Sequence, residues 1–213
     1  EFETGVDHGV LYIPTAGVYS NGVAWNGLIG VTESPSGAEA TPLYADNIKY
    51  LNMTSAEQFG ATLECYTYPD EFAQFDGQAT PSPGVSIGQQ ARKGFGLSYR
   101  TRLGNDVDGD DHGFKLHLVY GCTAAPTEKA YTTVNESPEA ITFSYEIATV
   151  PVPVTGMRPT SIITIDSTKE DETKVNELPV ILYGDDETDP RLPRPDEIIA
   201  HLATDTPLTA ATP

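Results

Sequence analysis

Alternation of apolar and polar positions is clearest in the middle of the chain. In "FGLSYRTRL", Phe95, Leu97, Tyr99 and Thr101 alternate with Gly96, Ser98, Arg100 and Arg102. In "FKLHLVY", Phe114, Leu116, Leu118 and Tyr120 alternate with Lys115, His117 and Val119. A period of two sends successive side chains to opposite faces of a strand, so both stretches predict half-buried strands. "ITFSYEIATV" repeats the pattern with Ile141, Phe143, Tyr145 and Ile147 on one face. The three apolar faces are expected to form one side of a core. Arg100, Arg102, Lys115 and His117 then share the polar face of one hairpin, which reads as an ion-pairing surface.

The remaining elements are shorter. "GVLYIP" and "GVAWNGLIGVTES" predict two N-terminal strands joined by a Gly-rich turn, and "GATLECYTY" predicts another. Between them, residues 35–59 show no sustained period and read as a long irregular loop, a feature that is usually functional. "PDEFAQFDG" (69–77) predicts a short helix: Pro69 suits its first position, Asp70 and Glu71 suit its N-terminal end, and Gly77 can stop it. A turn-rich linker follows. After Pro153, "SIITID" and "LPVILYG" read as strands. Ser167 and Glu170 stand at capping-box spacing before a polar helix, and "PDEIIAHL" starts a second helix at Pro195. Residues 203–213 offer nothing to pack and are expected to be flexible.

Composition narrows the class. The chain has 213 residues, enough to bury a sizeable core, with 19 Gly and 17 Pro punctuating aromatic and β-branched runs. This favours an all-β chain. Thirty-one acids against 12 bases give a net charge of −19. Such a surface repels phosphate backbones and anionic membranes, and no apolar run approaches the length of a membrane span. No signal peptide is visible in a chain that begins at Glu1, which leaves earlier processing open. Cys65 and Cys122 lack a CxxC partner and read as two free, half-buried thiols.

Candidate chemistry is sparse. "GNDVDGDDHG" carries Asp106, Asp108, Asp110 and Asp111 at spacing close to a calcium loop. The sixth position is Asp111 rather than Gly, the twelfth is His117 rather than Glu, and strands rather than helices flank it. It reads as the acidic tip of a β-hairpin. "GVSIG" matches the G-x-S-x-G elbow at Ser86, yet lacks the strand before and the helix after that the motif needs. His8, His112, His117 and His201 are scattered, with His112 and His117 read as hairpin-surface residues. Asn52 and Asn135 begin acceptor triplets of the kind common by chance. The reading is therefore of a protein that is not an enzyme and has no cofactor and no metal. The runner-up is a monomeric calcium-dependent β-sandwich binding module, which would place a cation on Asp106 to Asp111.

The order of elements carries a resemblance. "GVAWNGLIGVTESPSGAEATPLYADNIKYL", "FGATLECYTYPDEFAQFDG" and the span from "GFGLSYRTRLGNDVDG" to "ITFSYEIATVPVPV" resemble the major tail tube proteins of long-tailed, non-contractile bacteriophages. The resemblance covers roughly residues 5–155. It implies a β-sandwich of the tail-tube fold with one or two short flanking helices: residues 1–155 as the tube domain, 156–202 as an extension packed on it, and 203–213 as a tail. It implies a virion protein assembled in the host cytoplasm as stacked hexameric rings, with DNA passing through the lumen without tight binding. The implied partners are the tape measure protein and the tail terminator or tip proteins. The 35–59 segment would reach the adjacent ring through Leu43, Tyr44, Ile48, Tyr50 and Leu51, and the N-terminal arm and C-terminal stretch would become ordered between subunits.

Overall fold

The computed structural model describes residues 1–107, 109–134, 136, 139–204 and 206–208. The strands, in chain order, are β1 (Phe2–Thr15), β2 (Val18–Trp25), β3 (Leu28–Glu33), β4 (Ala40–Ala45), β5 (Ile48–Thr54), β6 (Gly60–Cys65), β7 (Ala79–Ser82), β8 (Val85–Ile87), β9 (Phe95–Asn105), β10 (Gly109–Ala124), β11 (Phe143–Thr149) and β12 (Ile162–Asp166). A 3-10 turn spans Asp70–Gln74, and two helices follow β12: α1 (Glu172–Tyr183) and α2 (Pro195–Thr204). The fold is all-β with flanking helices.

Eight strands make one sheet in the order β2-β1-β9-β10-β11-β6-β3, with β12 added on β10. Strand β10 organises it. Lys115 to Val119 pair with β12 on one edge, whereas Cys122 to Ala124 pair on that edge with β11. The change falls at a register shift around Gly121, whose φ is +60°. A Cβ there would overlap the Val150 carbonyl oxygen, so the position requires glycine for conformation and for space. The bend separates two limbs of the sheet, which close on a core of Leu11, Leu63, Phe72, Phe75, Phe95, Leu97, Val119 and Tyr145.

The other face of the first limb is also covered. Val10, Tyr12, Leu116, Leu118 and Tyr120 pack against Val175, Leu178 and Leu182 of α1 and Ile198 of α2. The Tyr12 hydroxyl donates to the Leu182 carbonyl at 2.6 Å, and the Tyr120 hydroxyl donates to the Pro193 carbonyl at 2.8 Å. The first satisfies an orphan carbonyl in the last turn of α1, the second a carbonyl just before α2, and both join the extension to the sheet.

Two-sided cover corrects several sequence readings. The register sets Val119 opposite Leu97 and His117 opposite Tyr99. Leu116, Leu118 and Tyr120 therefore point away from Leu97 and Tyr99, into the helix-side core. Period two locates an apolar face but does not say which of two buried faces it is. The same register splits the basic residues: Arg100 and Arg102 lie opposite Leu116 and Phe114, while Lys115 and His117 face the other way. "GVAWNGLIGVTES" is two strands, since Asn26 and Gly27 (φ +78°) turn the chain between β2 and β3. "LPVILY" is helical, because Asp171 caps α1 by accepting from the Thr173 and Lys174 amides and Val175, Leu178 and Leu182 share one buried stripe. Pro179 is accommodated inside that helix. The N-terminal residues are paired within the subunit, Phe2 opposite Gly104. At the other end Leu208 packs on the helix-side core, and residues 205 and 209–213 lie outside the described residues.

Candidate assembly interface

The segment read as an irregular loop is a β-hairpin, and it leaves the body as a continuation of the β3–β6 ladder. Ser34 N–H donates to the Gly60 carbonyl, and Ser36 and Gln58 exchange both backbone hydrogen bonds at 2.8 and 2.7 Å. Gly37 and Ala38, both at positive φ, bend the chain, and β4 and β5 then pair from Ala40 opposite Thr54 to Ala45 opposite Ile48. Asp46 and Asn47 close the turn with φ of +51° and +63°. Positive φ at both central residues matches the type I′ turn that suits strand twist, and Asp and Asn tolerate it. "LYADNIKYL" thus held a hairpin signal that the missing glycine obscured.

The register sets Leu43 opposite Leu51 and Thr41 opposite Met53 on one face, with Tyr44 opposite Lys49 on the other. Tyr50 is the extra residue at the register shift. The sequence-derived contact residues are thus gathered on one element, and all are exposed: Tyr44 at 70%, Tyr50 at 71% and Ile48 at 65%, with Leu43, Leu51 and Met53 also open. Asp46 and Lys49 are the only charges between Ala40 and Thr54, in a chain of net −19. An isolated two-stranded hairpin is marginal in water, and large apolar side chains on both of its faces make the arm a candidate contact surface.

The other sequence candidates fall elsewhere. Asp106 is exposed in the β9–β10 turn, Asp110 and Asp111 open β10, and Asp108 lies outside the described residues. Asp110 and Asp111 line a shallow 290 Å³ depression together with Arg100 and Arg102. Among the described residues no group of three or more His, Cys, Asp or Glu is arranged to hold a metal ion. Ser86 is exposed on β8 between Val85 and Ile87, with no helix after it. Cys65 and Cys122 are free and fully buried rather than half-buried, and burial pushes both thiols above their usual range. Asn52 is exposed on β5, and Asn135 lies outside the described residues.

The basic residues have local partners. Arg100 grips Asp7 with Nε and Nη2 at 2.7 and 2.8 Å, Arg102 adds a contact at 3.2 Å, and Lys115 meets Glu3 at 2.6 Å. Arg100 holds the Asp7 carboxyl far below the usual carboxylate range. His117 corrects the surface reading: it is buried, stacked on Tyr99 at 4.6 Å, with Glu33 3.5 Å from Nδ1 and Glu3 3.6 Å from Nε2. Tyr99 donates its hydroxyl to Glu33 at 2.6 Å. Only the fold brings Glu3, Glu33 and His117 together, so spacing along the chain held no signal for the cluster.

No family model and no curated protein matches the chain. Among solved structures it is similar to a chain of the sheath–tube complex of an extracellular contractile injection system in its extended state, at 12% identity, over 75% of this chain and 88% of that one, with a TM-score of 0.34. No described helix is long and apolar enough to cross a membrane.

Proposed function

We propose that the chain is a non-catalytic structural subunit of a phage tail tube, assembling as hexameric rings that stack into a channel for DNA during genome ejection. The β4–β5 arm supports this most directly. It presents Leu43, Tyr44, Ile48, Tyr50, Leu51 and Met53 to solvent, each between 40% and 71% exposed. An arm that docks on a different surface of the neighbouring subunit makes a heterologous contact. Heterologous contacts generate closed rings or open stacks. The tape measure and terminator proteins would be the other partners of such a tube.

The charge fits the same reading. A channel must let DNA pass without holding it, and acids facing inward would repel phosphates, with fields from neighbouring rings adding within a Debye length of about 8 Å. Pairing of Arg100, Arg102 and Lys115 with Asp7 and Glu3 removes those cations as free phosphate ligands.

Light scattering after size exclusion tests the role of the arm. The wild type is expected to elute as a large assembly, and a Tyr44→Ser, Ile48→Ser, Tyr50→Ser variant as a folded 22.9 kDa subunit. An assembly of unchanged size in the variant would remove the arm from the interface.

A further inference from the structure

A second constellation lies apart from the arm. Lys129 belongs to the stretch between β10 and β11, which has no strand or helix among its described residues. Its Nζ stands 2.5 Å from Asp76 Oδ2 and over the rings of Tyr145 and Tyr68, 5.4 and 5.8 Å from their centroids. The Asp76 side chain is 7% exposed and also accepts from Arg92 at 3.1 Å. Tyr145 has no exposed surface, and its hydroxyl has no hydrogen-bond partner among the described residues. A buried carboxylate that accepts N–H bonds, beside aromatic faces that attract the charge, is the set that recognises an ammonium group.

The segment that carries Lys129 also bonds along β11. The Ala125 amide donates to the Glu146 carbonyl at 2.8 Å, and Thr127 Oγ1 donates to the Ser144 carbonyl at 2.6 Å. These bonds lie along β11 beyond its pairing with β10, which stops at Ala124 opposite Ile147. Past Lys129 the chain is open, with Tyr131 74% and Val134 81% exposed.

We propose that Asp76, Tyr68 and Tyr145 form a binding site for a primary alkylammonium group, occupied in cis by Lys129, and that this occupancy fastens residues 125–134 over the edge of β11. The site is independent of the assembly proposed above. Removing Lys129 leaves Asp76 paired with Arg92, so the carboxylate is not stranded.

The test is Lys129→Ala in the full chain, with Lys93→Ala as control because Lys93 bonds the Gln74 side chain rather than a buried carboxylate. Backbone ¹⁵N order parameters at Thr127 and Glu128 are expected near the rigid value of about 0.85 in the wild type and the control, and below about 0.6 in Lys129→Ala. The vacated site should take up n-butylammonium chloride saturably, with a dissociation constant on the order of millimolar, read from Tyr145 ring resonances. 1-Butanol should not bind there, nor should n-butylammonium bind the wild type. Unchanged order parameters would overturn the fastening role. Equal n-butylammonium binding by wild type and variant, or none by either, would overturn the site. Lys129→Met keeps the stem's packing and gives the same readouts if Lys129→Ala does not fold.

Discussion

The tautomer of His117 follows from its neighbours. Thr101 Oγ1 donates to Glu3 at 2.5 Å, so it must accept from His117 Nε2–H at 3.0 Å, which leaves Nδ1 unprotonated toward Thr164 and Glu33. Burial lowers the imidazole's pKa, and the Lys115 charge acts the same way, while Glu33 and Glu3 oppose them. The folded state therefore binds this proton less readily than the unfolded chain. Stability is full above the unfolded pKa of about 6.5 and falls as pH drops below it, by at most about 1.4 kcal/mol per pH unit. Urea unfolding between pH 7 and 5 should show this slope in the wild type and lose it in His117→Gln. An equal slope in both proteins would assign it to other groups. Asp7 behaves in the opposite sense. Its pKa is depressed, so its contribution is present above the usual Asp value and is lost as the pH falls toward the folded pKa. Asp7→Asn should cost about 1–3 kcal/mol at pH 7, because it leaves the partly buried Arg100 short of its bidentate partner. A loss under 0.5 kcal/mol, measured by urea unfolding, would contradict that weight.

Among elements, β10 and the arm make separate demands. Gly121→Ala puts a Cβ into the Val150 carbonyl at a positive φ, so it should destabilise by about 2 kcal/mol or more and loosen the β10–β11 junction, seen as faster hydrogen exchange at Val150. Substitutions at Tyr44, Ile48 or Tyr50 should leave monomer stability within about 0.5 kcal/mol, because each side chain is already in water. Legibility in the sequence followed the same division. The β9–β10 hairpin was readable because its alternation is local, and the short helix at Pro195 because its start signals are local. The sense in which Leu116 and Leu118 point was not readable, since it depends on helices lying some 60 residues later that cover the second face. "LPVILY" misled because a short apolar run fits strand and helix equally, and the Asp171 cap that decides it lies seven residues upstream. Of the arm, the exposure of Leu43, Tyr44, Ile48, Tyr50 and Leu51 was legible, since they are apolar side chains without a core. The hairpin itself was not, since its turn uses Asp46 and Asn47 rather than glycine.

For the molecule as a whole, a net charge of −19 sets the conditions of self-association. Like-charged subunits repel at low ionic strength, whereas an arm whose Asp46 and Lys49 cancel in charge would gain contact area on docking. Assembly, followed by light scattering, should accelerate as sodium chloride rises from about 20 mM to about 500 mM. Slower assembly at high salt would point to an interface built on opposite charges instead. The central claim concerns the shape of the product, and negative-stain electron microscopy of the purified protein reads it directly. The account predicts six-fold rings and stacks of rings with an open channel, converted to small single particles by the Tyr44→Ser, Ile48→Ser, Tyr50→Ser variant. A wild type that stays as single 22.9 kDa particles at all concentrations and salts tried would contradict it.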